Sequence, residues 1–300
     1  AMAAALLAPP AMAVAARAGI PPLLMAVMAG NGALAGTLSP FAPTGLVAHG
    51  VMARIGLPGV EWQTFGYNAL AHTLAGFGGF LLLGGARLFR GGRAAAAAEP
   101  DVQPMHRAHW LTTAGIVALI ATVAGLGLNV GMMALIVSTT LILLKAADEA
   151  RAIQRMPWGV ILMVTGVTVL VAMMQETQGI ALITRGIAAV ATPATIAPIV
   201  SFGTGLVSVY SSTSGVVLPA FLPMAPDLAR QLGGLDPLRV AWSINVGASL
   251  VDLSSLSTVG ALFIAGAAPG TDARALFNGL LAWGLAMAVA GAGLCWVLFG

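Results

Sequence analysis

Apolar residues dominate this chain in runs that are long enough to cross a lipid bilayer. Charge-free runs occupy residues 18–53, 62–86, 110–144, 156–175, 186–226 and 275–300. A helix that crosses the hydrocarbon core needs about 20 residues. Several of these runs therefore hold more than one helix or a hairpin.

Two polar segments interrupt the apolar pattern, and they resemble each other. Residues 31–45 read NGALAGTLSPFAPTG, and residues 245–260 read NVGASLVDLSSLSTVG. Each starts at Asn and continues through small residues and a Ser/Thr cluster to Thr and Gly, and similar Pro, Gly and Arg positions precede both. We interpret them as one unit used twice. Polar interruptions at corresponding places in two apolar halves indicate the binding site of a secondary transporter.

The pattern predicts two halves joined by a basic linker. The first half, residues 1–90, contains a helix to about residue 18, a helix broken at 37–44 and one span at about 65–89. Residues 91–109 form the predicted cytoplasmic linker. The second half, residues 110–300, contains spans at 110–126, at 130–146 and from Pro157, a re-entrant hairpin at 192–230, a helix at 237–266 broken at 252–258, and a last span at 272–299.

Composition defines the class of protein. Hydrophobic residues make up 59% of the 300 and charged residues 8%, with a mean hydropathy of +0.95. We therefore predict an all-α polytopic membrane protein whose surface faces the lipid bilayer. The pI of 9.8 does not indicate nucleic acid, because the few basic residues sit in short loops. The most basic loops are expected on the cytoplasmic side, around Arg87, Arg90, Arg93 and Arg107 and around Lys145, Arg151 and Arg155.

Asp252 is the strongest single candidate for a functional residue. A carboxylate inside a membrane segment is costly and by default marks an ion or proton site. Its neighbours supply hydroxyl oxygens, from Ser254, Ser255, Ser257 and Thr258. Two other interpretations stay open, namely that Asp252 caps the second half of the broken helix or that it lies at the membrane edge.

The tip of the predicted hairpin, Ser211–Gly215, is rich in hydroxyl groups. Half-helix N-termini point free N–H groups and a positive dipole end into a cavity, which suits a carboxylate ligand. None of the candidate segments contains Arg or Lys. Alternatively, these side chains form hydrogen bonds within packed helices. Asn31 and Asn245, at matching places in the two halves, either take part in the site or bridge helices.

Three stretches resemble the malonate-carrier (MatC) type of dicarboxylate carrier, within the ion transporter superfamily that includes the divalent anion/sodium symporters. They read LLAPPAMAVAARAGIPPLLMAVMAGNGALAGTLSPFAPTG, SVYSSTSGVVLPAFLP and NVGASLVDLSSLSTVGALFIAGA. The resemblance implies inverted repeats, each with a re-entrant hairpin and a broken transmembrane helix. It also implies a small dicarboxylate substrate, Na⁺ as the coupling ion with no other cofactor, a homodimer, an elevator mechanism and a place in the bacterial inner membrane.

Mapping the family pattern onto this chain assigns residues to each ligand. The expected substrate-binding residues are Asn31, Ser39, Thr44, Ser211, Ser212, Thr213, Ser214 and Thr258. The expected Na⁺ ligands are Asp252, Ser254, Ser257 and Asn245. Relatives carry further helices before the position of residue 1, so the chain is expected to be a fragment. The Ser-Asn-Thr signature of the symporters is replaced here by SerSerThr at 211–213.

Other functions receive less support from the sequence. An intramembrane aspartyl hydrolase needs two carboxylates, and Asp252 is the only one deep in an apolar segment. A Ser nucleophile needs a base within reach, and the second half has no His after His109. A non-transporting membrane subunit or a truncated copy remains the main alternative. Within the transporter hypothesis, H⁺ could replace Na⁺, and the carboxylate stays open.

Overall fold

A computed structural model describes residues 2–89, 106–154, 156 and 158–300 of the chain. The chain is 78% helical, and the described part contains no β-strand. The predicted all-α class is therefore confirmed. Residues 90–105 lie outside the described part, and they include Arg90, Arg93 and most of the predicted linker. Arg155 and Pro157 also lie outside it.

Residues 1–97 and 162–300 form one compact unit, and residues 98–161 form a second. The helices before the linker are α1 Met2–Ala18, α2 Pro22–Ala35, α3 Pro43–Arg54 and α4 Glu61–Leu82, followed by a 3₁₀ turn at Gly85–Phe89. The second unit contains α5 Arg107–Leu126, α6 Val130–Leu143 and α7 Glu149–Gln154. In it, α5 packs against α6 after a turn through Gly127, whose φ of +65° suits glycine.

The remaining helices complete the first unit, apart from the start of α8. They are α8 Trp158–Glu176, α9 Gly179–Val190, α10 Ile196–Ser208, α11 Leu218–Phe221, α12 Ala225–Gln231, α13 Pro237–Leu250, α14 Thr258–Ala265 and α15 Ala273–Phe299. A π-helical turn at Thr213–Val217 leads into α11, and a 3₁₀ turn at Leu222–Met224 joins α11 to α12. Asp272 caps α15 by accepting from the backbone N–H groups of Arg274 and Ala275.

Most helices in the described part are shorter than the bilayer is thick. Among the described helices, only Ala273–Phe299 is long and apolar enough to cross a membrane by itself. Ile196–Ser208 and Thr213–Gln231 meet this criterion only as a pair, and they are bent by 120° at the break between them. The predicted run at residues 18–53 is likewise divided, because Gly36, Pro40 and Pro43 interrupt the helix.

The two broken helices have the same construction at one constant offset, that of Pro22 to Pro237. Both α2 and α13 contain 14 residues with Pro in the first turn. We call residues 36–42 the first break and residues 251–257 the second break. At the same offset, α3 begins at Pro43 and α14 at Thr258.

Backbone hydrogen bonds inside the two breaks also correspond. The matched bonds are Thr37 N to Leu34 O with Asp252 N to Ser249 O, Ser39 N to Gly36 O with Ser254 N to Val251 O, and Ala42 N to Ser39 O with Ser257 N to Ser254 O. Each break is anchored by a fully buried leucine at the equivalent position, Leu38 and Leu253. Non-helical backbone at membrane depth is tolerated where protein surrounds it.

This offset corrects one prediction from the sequence. The sequence pattern pairs Asn31 with Asn245, but in the structure Asn31 corresponds to Val246. One position on a helix is a rotation of about 100°. The two side chains therefore point to different neighbours: Asn31 contacts His72 on α4, and Asn245 contacts Met52 on α3.

A helix from each half packs against the second segment of the broken helix in the other half. Helix α1 packs against α14, and α11 packs against α3. The approach of α1 to α14 is close, because a Cβ at Gly266 would lie 3.1 Å from the backbone nitrogen of Pro9. The two breaks are thereby brought to the same region of the unit.

Candidate substrate and cation site

A polar cavity of about 80 Å³ lies where the two breaks meet the turn between α10 and α11. We call this the site cavity, and we call Ser211–Gly215 the tip. The residues that line the cavity are Leu34, Thr37, Thr44, Ser211, Ser212, Thr213, Ser214, Asp252, Ser257, Thr258 and Val259. Most of them carry a hydroxyl group, and the lining includes no Arg or Lys.

Equivalent positions of the two broken helices line this cavity. Thr37 and Asp252 correspond at the offset of Pro22 to Pro237, and Thr44 corresponds to Val259. The first broken helix therefore places hydroxyl groups at positions where the second places a carboxylate and an apolar side chain.

Asp252 is joined to the tip by a chain of short hydrogen bonds. The hydroxyl of Thr213 donates to Asp252 Oδ1 at 2.5 Å, and the oxygens of Ser208 and Thr213 are also 2.5 Å apart. Because the single hydroxyl proton of Thr213 goes to the carboxylate, Ser208 is the donor in the second bond. Ala248 O lies 3.2 Å from the same Thr213 oxygen.

Ser257, and not Asp252, caps the second half of the broken helix. Its Oγ accepts from the backbone N–H of Gly260 and lies within hydrogen-bond reach of the carbonyls of Asp252 and Ser254. The capping interpretation of Asp252 is therefore wrong. Its carboxylate points to the tip, and Thr213 satisfies it there.

Three helical segments begin at the site cavity. Thr44 lies in the first turn of α3, Thr258 begins α14, and Thr213 begins the helical run that leads to α12. At the tip, Ser212 accepts from the backbone N–H of Gly215. Two helices end there as well, since α2 ends one residue after Leu34 and α13 ends just before Asp252. Helix N-termini favour anions, and C-termini favour cations.

The structure gathers some of the predicted site residues and leaves others apart. Thr44, Ser211–Ser214, Asp252, Ser257 and Thr258 line the site cavity. Asn31, Ser39, Asn245 and Ser254 are not among its lining residues. Thr37 lines the cavity but was not predicted. Alignment of the two halves from Pro22 and Pro237 would have found it, because that alignment pairs Thr37 with Asp252.

Asn31 lies instead at a second cavity, of about 130 Å³, between α2 and α4. Its Oδ1 is 2.9 Å from Nδ1 of the buried His72, and its Nδ2 donates to Val27 O. Since Asn31 Oδ1 can only accept, His72 carries its proton on Nδ1. Asn245 is also buried, and its Nδ2 lies 3.4 Å from the sulfur of Met52.

An all-helical fold with broken helices around a polar cavity is typical of secondary membrane transporters. Residues 1–247 match the CitMHS family, described as citrate transporter, and this match covers most of the chain. The chain therefore belongs to the CitMHS family of integral membrane proteins, within the ion transporter superfamily. No curated protein and no solved structure matches the chain.

Family membership excludes one of the classes of function that the sequence left open. CitMHS proteins are transporters and not enzymes, so the hydrolase alternative is excluded. Their substrates are small organic anions of the citrate type.

Proposed function

We propose that the protein moves a small carboxylate of the malonate or C4-dicarboxylate class together with Na⁺ across the bacterial inner membrane. The observation that carries this proposal is the convergence of equivalent positions from both broken helices, Thr37 with Asp252 and Thr44 with Val259, on one polar cavity that the hydroxyl-rich tip also lines. Repeated broken helices that meet at a polar cavity are typical of a transport site.

The anion half of the site is assigned to the helix N-termini and the hydroxyl groups beside them. Thr44, Thr258 and Ser212 lie at the starts of three helical segments, where free N–H groups and the positive dipole end favour a carboxylate. A dicarboxylate needs two such places, and N-termini on opposite sides of the cavity can supply them. This arrangement binds an anion without a buried guanidinium or ammonium group.

The cation half is assigned to Asp252. Among the residues that the structure describes, no group of three or more His, Cys, Asp or Glu side chains could hold a metal ion. Asp252 is the only carboxylate in the cavity lining, where its Oδ1 accepts from the Thr213 hydroxyl, and the hydroxyl of Ser257 donates to its backbone carbonyl. One carboxylate with neutral oxygens suits a monovalent cation, whereas divalent cations favour several charged ligands.

The same contacts give a route for coupling. Thr213 belongs to the tip and donates to Asp252. A Na⁺ ion bound at Asp252 turns the Thr213 oxygen toward the ion, since a hydroxyl oxygen can coordinate a cation while its proton points elsewhere. Cation binding thereby orders the tip and completes the anion half of the site.

The size of the cavity supports a closed state of the site. A volume of about 80 Å³ has room for only a few water molecules. A carboxylate with several carbons needs more room, so the tip has to move away from the second break when substrate enters.

The inverted repeats, the elevator mechanism and the homodimer are parts of the same proposal. The matched bonds in the two breaks and the reciprocal packing of α1 on α14 and α11 on α3 support the repeats. The site cavity lies within a single compact unit, which supports movement of the site as one body. The homodimer rests on the resemblance to the malonate carriers.

Uptake of radiolabelled malonate, succinate and citrate into proteoliposomes tests this function. We expect accumulation of malonate or succinate above the gradient-free level when an inward Na⁺ gradient is imposed. Accumulation of citrate alone would contradict the proposed substrate class. Accumulation driven only by an H⁺ gradient would contradict Na⁺ as the coupling ion. Absence of flux of all three anions from folded protein under both gradients would reject coupled carboxylate transport.

A further inference from the structure

Asn68, at the middle of α4, makes hydrogen bonds to both broken helices. Its Nδ2 donates to Leu34 O and to Ala35 O, each at 3.1 Å. Its Oδ1 accepts from Ser249 Oγ at 2.5 Å. The side chain is fully buried, so both amide protons and the oxygen are used inside the protein.

The two groups that Asn68 joins are at equivalent places. Ser249 corresponds to Leu34 at the offset of Pro22 to Pro237, and each lies in the last turn before a break. One amide therefore connects the C-terminal end of α2 to that of α13. Thr37 and Asp252, which lie shortly after these ends, both line the site cavity.

The connection is made on one side of the fold only. The position in α15 that corresponds to Asn68 is Trp283, whose buried Nε1 has no hydrogen-bond partner among the described residues. The bonds of Asn68 also differ at its two ends, because it donates to two backbone carbonyls of α2 and accepts from one side chain of α13.

We propose that Asn68 is a positioning residue for transport, which fixes the distance between the two breaks without touching the substrate. It acts through Leu34, which lines the site cavity, and through Ser249, whereas Asn68 itself is not in the lining. The inference rests on the proposed function, because it takes the site cavity as the transport site. A buried polar side chain with every bond satisfied has one favoured orientation, which makes the spacing between the breaks well defined.

Substitutions on both sides of the connection test this role in the transport assay. Asn68→Leu removes all three bonds at similar volume, and Ser249→Ala removes one. We expect KM for the transported anion to rise about tenfold in Asn68→Leu and a few-fold in Ser249→Ala. The double variant should be no worse than Asn68→Leu alone, because both changes break the same bond.

Thr64→Val is the matched control. Thr64 is also buried on α4, and its hydroxyl accepts from Trp242 Nε1 of α13 at 3.1 Å, but it does not reach either break. We expect its KM to stay within twofold of the wild type. An unchanged KM in Asn68→Leu, or effects of the two single changes that multiply in the double variant, would overturn the inference.

A distance measurement separates this inference from the proposed function. Spin labels at Leu46 on α3 and Leu256 in the second break, both exposed, report the spacing of the breaks without substrate, and Cys295 is buried. We expect a narrow distance distribution in wild type and in Thr64→Val, and a broadened one in Asn68→Leu. The same distribution in all three rejects the positioning role. If the wild type moves no carboxylate, the proposed function fails, and this measurement alone decides the role of Asn68.

Discussion

The hydroxyl of Thr213 donates a 2.5 Å hydrogen bond to the carboxylate of Asp252, and this bond joins the tip to the second break. The two residues are 39 positions apart in the chain. The tip can leave the break only if this bond is broken, and a cation at Asp252 changes the partner that the carboxylate needs. The bond therefore links occupancy of the cation half to the position of the tip.

Substitution of Thr213 should uncouple the tip from Asp252. In Thr213→Val the methyl group replaces the donor, so the apparent affinity for Na⁺ should fall about tenfold, as expected for the loss of a hydrogen bond to a charged group. Thr213→Ser keeps the hydroxyl and should retain most of the activity. The Na⁺ concentration that gives half-maximal uptake measures the effect. A Val variant with unchanged Na⁺ activation would separate the tip from the cation half.

Neutralisation of Asp252 should remove cation dependence before it affects folding. Asp252→Asn keeps the shape and the acceptor for Thr213 but removes the charge that attracts Na⁺. We expect Na⁺ stimulation of uptake to be lost, while the amount of protein in the membrane stays close to that of the wild type. Asp236→Asn is the control, because Asp236 is an exposed N-cap of α13 far along the chain from the break. Unaltered Na⁺ activation in Asp252→Asn would remove this residue from the cation site.

Thr37 should contribute to the anion half although its sequence context did not single it out. Thr37→Val removes one neutral hydroxyl from the cavity lining, which costs about 1 kcal/mol or roughly a fivefold increase in KM. Thr73→Val removes a hydroxyl from α4, where it bonds only to Ala69 O in its own helix. Initial rates over a range of anion concentrations compare the two variants. Equal KM values in both would show that Thr37 does not contact the substrate.

The glycines that follow the breaks should tolerate no side chain. A Cβ at Gly45 would lie 2.0 Å from Ser39 O, and one at Gly260 would lie 2.0 Å from Ser254 O. Because backbone is on the other side of each contact, Gly45→Ala and Gly260→Ala should each destabilise the protein by about 3 kcal/mol. Gly50→Ala, on the open face of α3, should be neutral or slightly stabilising. Thermal unfolding in detergent measures all three, and a wild-type midpoint in Gly45→Ala would contradict this packing.

The sequence predicted the broken helices closely but not their mutual register. Pro40, Pro43 and the Ser/Thr clusters located both breaks within a few residues, because Pro and Gly act locally on the backbone. The pairing of Asn31 with Asn245 is wrong, because similar residues in two short segments do not determine which face of the helix each residue occupies. The offset of Pro22 to Pro237 became clear only from the matched hydrogen bonds of the two breaks.

Candidate residues for the site were predictable where chemistry is unusual for a membrane segment. Asp252 and the tip at 211–214 stood out because charge and clustered hydroxyl groups are costly in an apolar run. Thr37 did not stand out, because a single Thr among small and apolar residues is ordinary. Asn68 was also missed, since its partners Leu34 and Ser249 are far away in the chain and their meeting depends on how three helices pack.

By itself, the sequence determined that this is a helical membrane protein with two polar interruptions, because hydropathy and helix breaking depend on neighbouring residues alone. The tertiary structure decided which side chains share a cavity. It brought Thr37 and Asp252 into one cavity lining, placed the Thr213 hydroxyl on the Asp252 carboxylate and made Ser257 the N-cap of α14. These relations join residues that are distant in the chain. They follow from the packing of whole helices and cannot be predicted from a local sequence pattern.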